Sequence, residues 1–453
     1  MQKACKTLVP ILSVIILIAT GCRKQEDLTS AKTFPLSSEK ERDKDERKAD
    51  SYIAQSWYNL ALSLVVQTPG HTPPIAARSF GYMGVTLYES LVGEMHNRHS
   101  LVGQLNGLNS IPERKHGKSY ESTVTANAAL ARIVRALFSN ASALNMSKID
   151  ALESDNEKVH VKKTSEEILE RSRDYGRAVA DAVFSWAVTD GGDQAFLNNF
   201  PTSYIAPTGL DKWIPTPPAY LSAMLPYWGN NRVMVLTDNP GPVDPPPPPA
   251  FSVTPGSVFS DAAYEVYNTV LHLNAEQNTI ALYWADAGNT FTPPGHNVAI
   301  TLQLIRNNDF NLYEAAVLLA KVGIVLNDGG IVCWRTKYIY NLIRPVTYIQ
   351  KYIAPAWNTL LPTPPFPTYI SGHSTFSGAT AGVLTADLGS QVPFTDSSKV
   401  SYGFSPRSFN NFIAYAQEAA VSRLYGGIHY RFDNDNGYSC GQLVAANVER
   451  LNW

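Results

Sequence analysis

Three short stretches in the last third of the chain carry the residue types needed to hold a tetrahedral oxyanion. The first runs Lys337-Tyr-Ile-Tyr-Asn-Leu-Ile-Arg344-Pro345, with its two cations seven residues apart. That separation is close to two helical turns, which predicts both on similar faces of one helix. Pro345 disfavours helical geometry at Arg344 and so puts that guanidinium near a helix end. Two cations spaced in this way also describe an ordinary solvated face. The second stretch is Ser371-Gly372-His373, which follows a Pro-rich run over 362–369 and precedes a helical pattern over 377–388. A hydroxyl, a glycine amide and an imidazole therefore meet at a loop-to-helix junction, where free N–H groups and the helix dipole favour an anion. A plain helix cap beside a surface histidine is the alternative. The third stretch is Ser422-Arg423-Leu-Tyr-Gly426-Gly427-Ile-His429-Tyr-Arg-Phe-Asp433. A helix through Phe412, Tyr415, Ala416 and Ala419 should stop at the two glycines, leaving His429 in a constrained turn. Asp433 can cap the next helix or hydrogen-bond an imidazole nitrogen and fix its tautomer. A simple helix–turn–helix connection would look the same. Each stretch alone is weak; together they supply three cations, an anion-binding turn and two histidines, the set a phosphate-like group requires.

The elements that must position these residues are overwhelmingly helical. Trp57, Leu60, Ala61, Leu64 and Val65 recur at helical spacing, as do Leu312, Ala315, Ala316, Leu319 and Val322. Asn311 with Glu314 three residues later marks a helix start. Apolar residues are 44% of the 453 and charged ones 17%, enough for a large core and too apolar for wholesale disorder. A net charge of −2 supplies no cationic field for nucleic acid. Segment 239–256, with Pro245 to Pro249 in succession, cannot be helix and should connect an N-terminal helical half (51–238) to a C-terminal one (257–453). No repeat of solenoid period is evident.

Residues 1–22 have the anatomy of an export signal: Lys3 and Lys6, an apolar stretch from Val9 to Ile18, then Ala19-Thr20-Gly21-Cys22. Small residues directly before a cysteine resemble a bacterial lipoprotein signal, with Cys22 lipidated. The charged stretch 23–50 cannot bury enough apolar area to fold and is expected to be a tether. The protein is thus expected outside the cytoplasm, periplasmic or at the cell surface, touching membrane only through its anchor. Cys333 and Cys440 would remain as mature thiols, bridged or free.

Lys-x6-Arg-Pro, Ser-Gly-His and Ser-Arg-x5-His-x3-Asp resemble the signature uniting type 2 phosphatidic acid phosphatases, bacterial acid phosphatases and vanadium-dependent haloperoxidases. Trp334, three before Lys337, and Phe366, seven before His373, tilt the likeness toward the haloperoxidases, as do Tyr283-Trp284-Ala285-Asp286 and Thr292-Pro293-Pro294-Gly295-His296. The layout is similar to bacterial vanadium iodoperoxidases. The resemblance covers about 255–450 and is looser before that. It implies an all-α fold of helical bundles, vanadate as cofactor, and hydrogen peroxide and halide, iodide above all, as substrates. It further implies His429 as the axial ligand steadied by Asp433. Lys337, Arg344, Arg423, Ser371 and Gly372 would bind the oxyanion, and Trp334 and Phe366 would line the pocket. His373 would be the acid–base residue, Lys337 would polarise peroxide, and Asp286 would pair with one of the arginines. Ile370 replaces a proline usual before Ser-Gly-His, and Phe366 stands where algal bromoperoxidases carry a second histidine. The same cage suits a periplasmic acid phosphatase acting through a phosphohistidine at His429. A glycan-binding helical lipoprotein is a third reading, which the three-motif cage opposes.

Overall fold

The computed structural model describes residues 41–160, 164–235 and 243–453. The signal segment, Cys22, the tether up to residue 40 and part of the Pro-rich connector lie outside the described residues. The N-terminal half supplies α1 (Glu41–Gln67), α2 (Pro73–Leu91), α3 (Ser122–Leu137), α4 (Ala143–His160) and α5 (Glu166–Ala187). Helix α1 begins inside the charged run expected to be a tether, so the helical body starts earlier than that expectation. The C-terminal half supplies α6 (Val258–Leu271), α7 (Ala275–Tyr283), α8 (Thr292–Asn307), α9 (Leu312–Tyr340) and α10 (Pro345–Tyr352). It ends with α11 (Gly372–Leu388), α12 (Phe412–Tyr425) and α13 (Arg431–Val448). The strands found among the described residues are β1 (Phe394–Asp396) and β2 (Arg407–Phe409), an antiparallel pair with Phe394 opposite Phe409. The fold is all-α, as the periodicity and the resemblance implied.

Helix α9 is the axis. Asn311 and Glu314 form the expected capping box, each side chain bonding the other's backbone N–H at 2.9 and 2.8 Å. Its apolar residues run all round rather than along one stripe, which suits a helix enclosed by others. It is long and apolar enough to cross a bilayer, yet its most apolar window is wholly buried inside the protein. Helix α2 lies against it, and small residues allow the approach. A Cβ on Gly84 would stand 2.7 Å from the Leu319 carbonyl oxygen, closer than real side chains come. The two halves of the sequence therefore share one core across α2 and α9, containing Phe80, Met83, Val322 and Leu326. Pro245–Pro249 runs without helix, as its composition requires. Cys333 and Cys440 are buried and free.

Between α5 and α6 a long irregular segment crosses the C-terminal end of α9. Trp213 N–H donates to Asn341 O at 2.7 Å, Ile343 N–H to Asp211 O at 2.8 Å, and Met224 N–H to Pro365 O at 2.9 Å. This strap closes one side of the site described next.

Candidate active site

Helix α9 stops at Tyr340, and Asn341 turns the chain with a left-handed φ of 47°. Lys337 therefore sits in the last turn of α9, while Arg344 occupies the N-cap of α10. The two-turn spacing expected to align them on one helix does not apply. They still converge, because both reach the Phe366 ring: Lys337 Nζ lies 4.9 Å and the Arg344 guanidinium 5.0 Å from its centroid. Trp334, one turn before Lys337, packs its ring 5.0 Å from Phe366. These aromatic faces and the full burial of both side chains make an apolar wall for the two cations.

Both cations are fully buried and lean on backbone carbonyls. Lys337 Nζ donates to Pro367 O (3.1 Å), Thr368 O (3.0 Å) and Ile370 O. Arg344 donates to Phe366 O at 2.8 Å and Ile428 O at 2.7 Å. Burial pushes Lys337 down to about 7 and Arg344 down to about 9. Arg423, in the last turn of α12, donates to Trp284 O and is pushed down to about 10 by burial. Burial disfavours the charged form of all three, and a bound anion would offset that cost.

Ser371 caps α11 at the expected loop-to-helix junction. Its Oγ accepts from Ser374 N at 3.4 Å, and its own N–H is held by Asp433 O at 3.0 Å. The N–H groups of the first turn, Gly372 included, thus point where a helix N-terminus receives negative charge. Beyond α12, Gly427 adopts φ 76°, and a Cβ there would sit 3.0 Å from Val270 Cγ2. This turn throws His429 back under Arg344.

The His429 ring is read from its partners. Nδ1 lies 2.9 Å from Asp433 Oδ2 and 3.2 Å from Thr368 Oγ1, and the Thr368 hydroxyl itself donates to Asp433. Burial raises the Asp433 carboxyl, against the Thr368 hydroxyl, Lys337, Arg344 and the Tyr430 N–H, which favour its ionised form. As a carboxylate it can only accept, so Nδ1 then carries the proton and Nε2 keeps its lone pair. That Nε2 stands 3.3 Å from Arg344 Nη1. Burial first, then Arg344, Lys337 and Arg423, hold His429 far below the usual histidine range, so it stays neutral. Asp433 thus does both jobs open to it, because Oδ2 also caps Tyr430 N–H at 3.1 Å.

Beside these groups lies a cavity of about 560 Å³ lined by His373, His429, Arg423, Asp286, Trp334 and Phe366 and by the strap residues Pro217, Pro218 and Met224, while the fully buried Lys337, Arg344 and Ser371 lie behind its wall. His373 Nε2 and Arg423 Nε are buried there without a hydrogen-bond partner. Burial, then Arg423, depress His373 well below the usual range. Orphaned donors and acceptors beside a lone-pair nitrogen and three cations fit a tetrahedral oxyanion attached to one histidine. Among the described residues no cluster of three His, Cys, Asp or Glu is arranged to hold a bare metal ion.

Asp286 departs from expectation. It pairs not with an arginine but with Lys399 Nζ, and with His296 Nδ1, which lies 3.0 Å from Oδ2 and 3.2 Å from Oδ1. Its Oδ2 is also 3.7 Å from His373 Nε2. The cause is the β1–β2 hairpin, which brings Lys399 to a loop that sequence spacing could not connect with Asp286. Sequence reasoning also missed Thr368, Asp396 and Lys399, and quoted His296 without giving it a role.

The model of the VCPO second helical-bundle domain matches residues 317–452, the segment that contains Lys337, Arg344, Ser371–His373, Arg423 and His429. Vanadium chloroperoxidase of Curvularia inaequalis is 25% identical in an alignment of 219 residues that covers 35% of this chain and 36% of that protein. The alignment thus spans about a third of that curated relative. A bacterial vanadium-dependent chloroperoxidase shares the fold, with a TM-score of 0.66 at 16% identity, over 86% of this chain and 95% of the other. A bacterial vanadium-dependent iodoperoxidase superposes with a TM-score of 0.80 over 88% of this chain and 95% of its own length. Its sequence is 32% identical over that near-complete span. By fold, site and this extended likeness, the chain belongs to the vanadium haloperoxidase family.

Proposed function

We propose that the protein is a vanadate-dependent haloperoxidase that oxidises halide with hydrogen peroxide, iodide in preference to bromide and chloride. The observation that carries this reading is the Asp433–His429 pair, which leaves a neutral imidazole with its Nε2 lone pair among buried cations. The preference for iodide is supported by the likeness to the bacterial iodoperoxidase along most of both chains.

Vanadate, when bound, supplies a Lewis-acid centre that activates hydrogen peroxide. His429 Nε2 would be its protein ligand. Lys337, Arg344 and Arg423 would neutralise its oxygens, and Ser371 Oγ and the Gly372 N–H would donate to them. His373 Nε2, neutral and without a hydrogen-bond partner, would take a proton from incoming peroxide and later return it. Lys337 would add positive charge beside the bound oxygens. Trp334 and Phe366 keep water from the cations and so strengthen each of these contacts. Asp286 steadies the environment of His373. Overall, iodide, hydrogen peroxide and one proton give hypoiodous acid and water.

The test needs only purified protein. After removal of metal, iodide oxidation by peroxide is measured before and after adding vanadate, with bromide and chloride in parallel, alongside hydrolysis of a phosphate monoester by the apo form. Vanadate-dependent oxidation, fastest with iodide, is expected. Strong phosphatase turnover without any peroxidase activity would reject the reading. The reading includes export and lipid attachment at Cys22, which the small residues Ala19 to Gly21 support. Labelled fatty acid should enter the wild type and not Cys22→Ser; equal labelling would reject the anchor.

A further inference from the structure

We propose that His296 is a positioning residue, a doubly protonated imidazolium clamped between Asp286 and Asp396 that, with Lys399, fixes the Asp286 carboxylate beside His373. The inference rests on the assignment of His373 as the proton-handling residue and adds to it a buried device that sets its charge.

The argument is one of donors and acceptors. His296, on α8, is fully buried and meets a carboxylate at each ring nitrogen: Nδ1 lies 3.0 Å from Asp286 Oδ2, and Nε2 lies 2.8 Å from Asp396 Oδ2. A neutral imidazole donates from one nitrogen only, so it would oppose a lone pair to a carboxylate oxygen at the other. Both carboxylates are otherwise surrounded by donors. Asp396 receives the Tyr283 hydroxyl at 2.7 Å, the Ser398 N–H at 2.9 Å and the Gln303 amide at 3.3 Å. Asp286 receives Lys399 Nζ. Each acid is therefore ionised, and His296 must donate twice. Consistently, His296 is raised above its usual value by its two acids, and both acids are held well below theirs by the histidine despite burial. The Trp284 ring lies over the imidazolium at 4.5 Å, and its indole N–H donates to Glu418 at 2.9 Å. Stacking on an aromatic face suits a buried cation.

Two carboxylates and two cations cancel, which makes the cluster tolerable in the core. What remains acts on His373. Asp286 Oδ2, 3.7 Å from His373 Nε2, favours the protonated ring, while His296 and Lys399 share that carboxylate and weaken its pull. The groups that face the cluster are Tyr283 from α7, His373 from α11, Arg423, Glu418 and Tyr415 from α12, and Arg407 and Tyr402 from the hairpin and its connection. Burial first, and then the Arg423 guanidinium, oppose protonation of His373 against the pull of Asp286, so the net balance leaves His373 neutral and able to accept a proton.

The test uses the full-length apo protein with nitrogen-15-labelled histidine, so its outcome is independent of vanadate turnover and of the halide oxidised. Wild-type His296 should show protons on both ring nitrogens at pH 7 and above the range in which a free histidine loses its second proton. His296→Gln and Lys399→Met should each raise the pH at which His373 titrates by about one unit or more, the scale set by a single nearby charge. Adding Asp286→Asn to either variant should cancel that rise. Lys399→Arg should restore the wild-type titration. A singly protonated His296 at pH 7 would overturn the proposal, and this reading is available even where a variant fails to fold. So would folded His296→Gln and Lys399→Met proteins in which His373 titrates as in the wild type, because a merely structural cluster lowers stability without moving that titration.

Discussion

Asp433→Asn removes one charge and almost no volume from the most constrained contact in the site. The native Oδ2 accepts from the Thr368 hydroxyl, from Tyr430 N–H at 3.1 Å and from His429 Nδ1 at 2.9 Å. An asparagine oxygen can accept all three, so the turn between α12 and α13 should survive. What changes is the bond to His429, from charge-assisted at about 1.5–3 kcal/mol to neutral at about 0.5–1.5 kcal/mol. The difference, on the order of 1.4 kcal/mol, is about tenfold in affinity, and partners of ligating histidines contribute about 10–100-fold when altered. Should the amide nitrogen turn toward Nδ1 instead, the tautomer inverts and an Nε2 proton faces the cations, a larger loss. Equilibrium dialysis of the apo protein against vanadate should therefore give a dissociation constant at least about tenfold weaker, at the weak end if the amide flips. Thermal melting should show a folded protein. A folded Asp433→Asn protein with wild-type vanadate affinity would refute the claim that Asp433 sets the tautomer and basicity of His429.

His373→Ala should keep vanadate on dialysis yet lose about 10²–10⁴-fold in turnover, because it removes a proton carrier and no anchor. Apo stability should depend on Lys337 with a definite sign. Burial lowers its folded value from 10.5 to about 7, so the unfolded chain binds more protons between those values and stability rises with pH across that window. Lys337→Met should abolish that rise in denaturant titrations at pH 7.5 and 9.5; an unchanged slope would show that Lys337 is not the buried titrating group. Gly323→Ala should destabilise by about 1–3 kcal/mol through overpacking, since its Cβ would stand 2.5 Å from the Phe80 carbonyl oxygen where α9 meets α2. A melting temperature equal to wild type would contradict that close approach.

What could be read in the sequence was local. The Asn311–Glu314 box, the cap at Ser371 and the Gly426-Gly427 stop each depend on residues within a turn or two, and each stands where the pattern put it. The cage residues were legible because their types are costly to bury without a purpose, and all of Lys337, Arg344, Ser371, Arg423 and His429 are buried at one place. The helical alignment of Lys337 with Arg344 failed because Asn341 accepts a left-handed turn, a break that the Lys-to-Arg spacing did not reveal. Asp286 was expected to pair with an arginine, but its bonded partners are a histidine and a lysine, and Arg423 feels it only through charge. Its true partners, His296 and Lys399, lie 10 and 113 residues away, the latter on a connection whose direction only the hairpin pairing determines. Thr368 was hidden in a Pro-rich loop whose course over Asp433 has no periodic signal. The helix at Glu41 was missed because a run of charges can be disordered or helical with equal composition.

The central claim is that a single imidazole nitrogen, His429 Nε2, carries the oxyanion's metal. Crystals of the vanadate-loaded protein, measured on both sides of the vanadium absorption edge, would locate that atom directly. One anomalous peak should appear in the cavity at bonding distance from His429 Nε2, ringed by Lys337, Arg344 and Arg423, and it should vanish in His429→Ala. A peak bonded to His373 instead, or loaded, active protein with no vanadium at His429, would contradict the account.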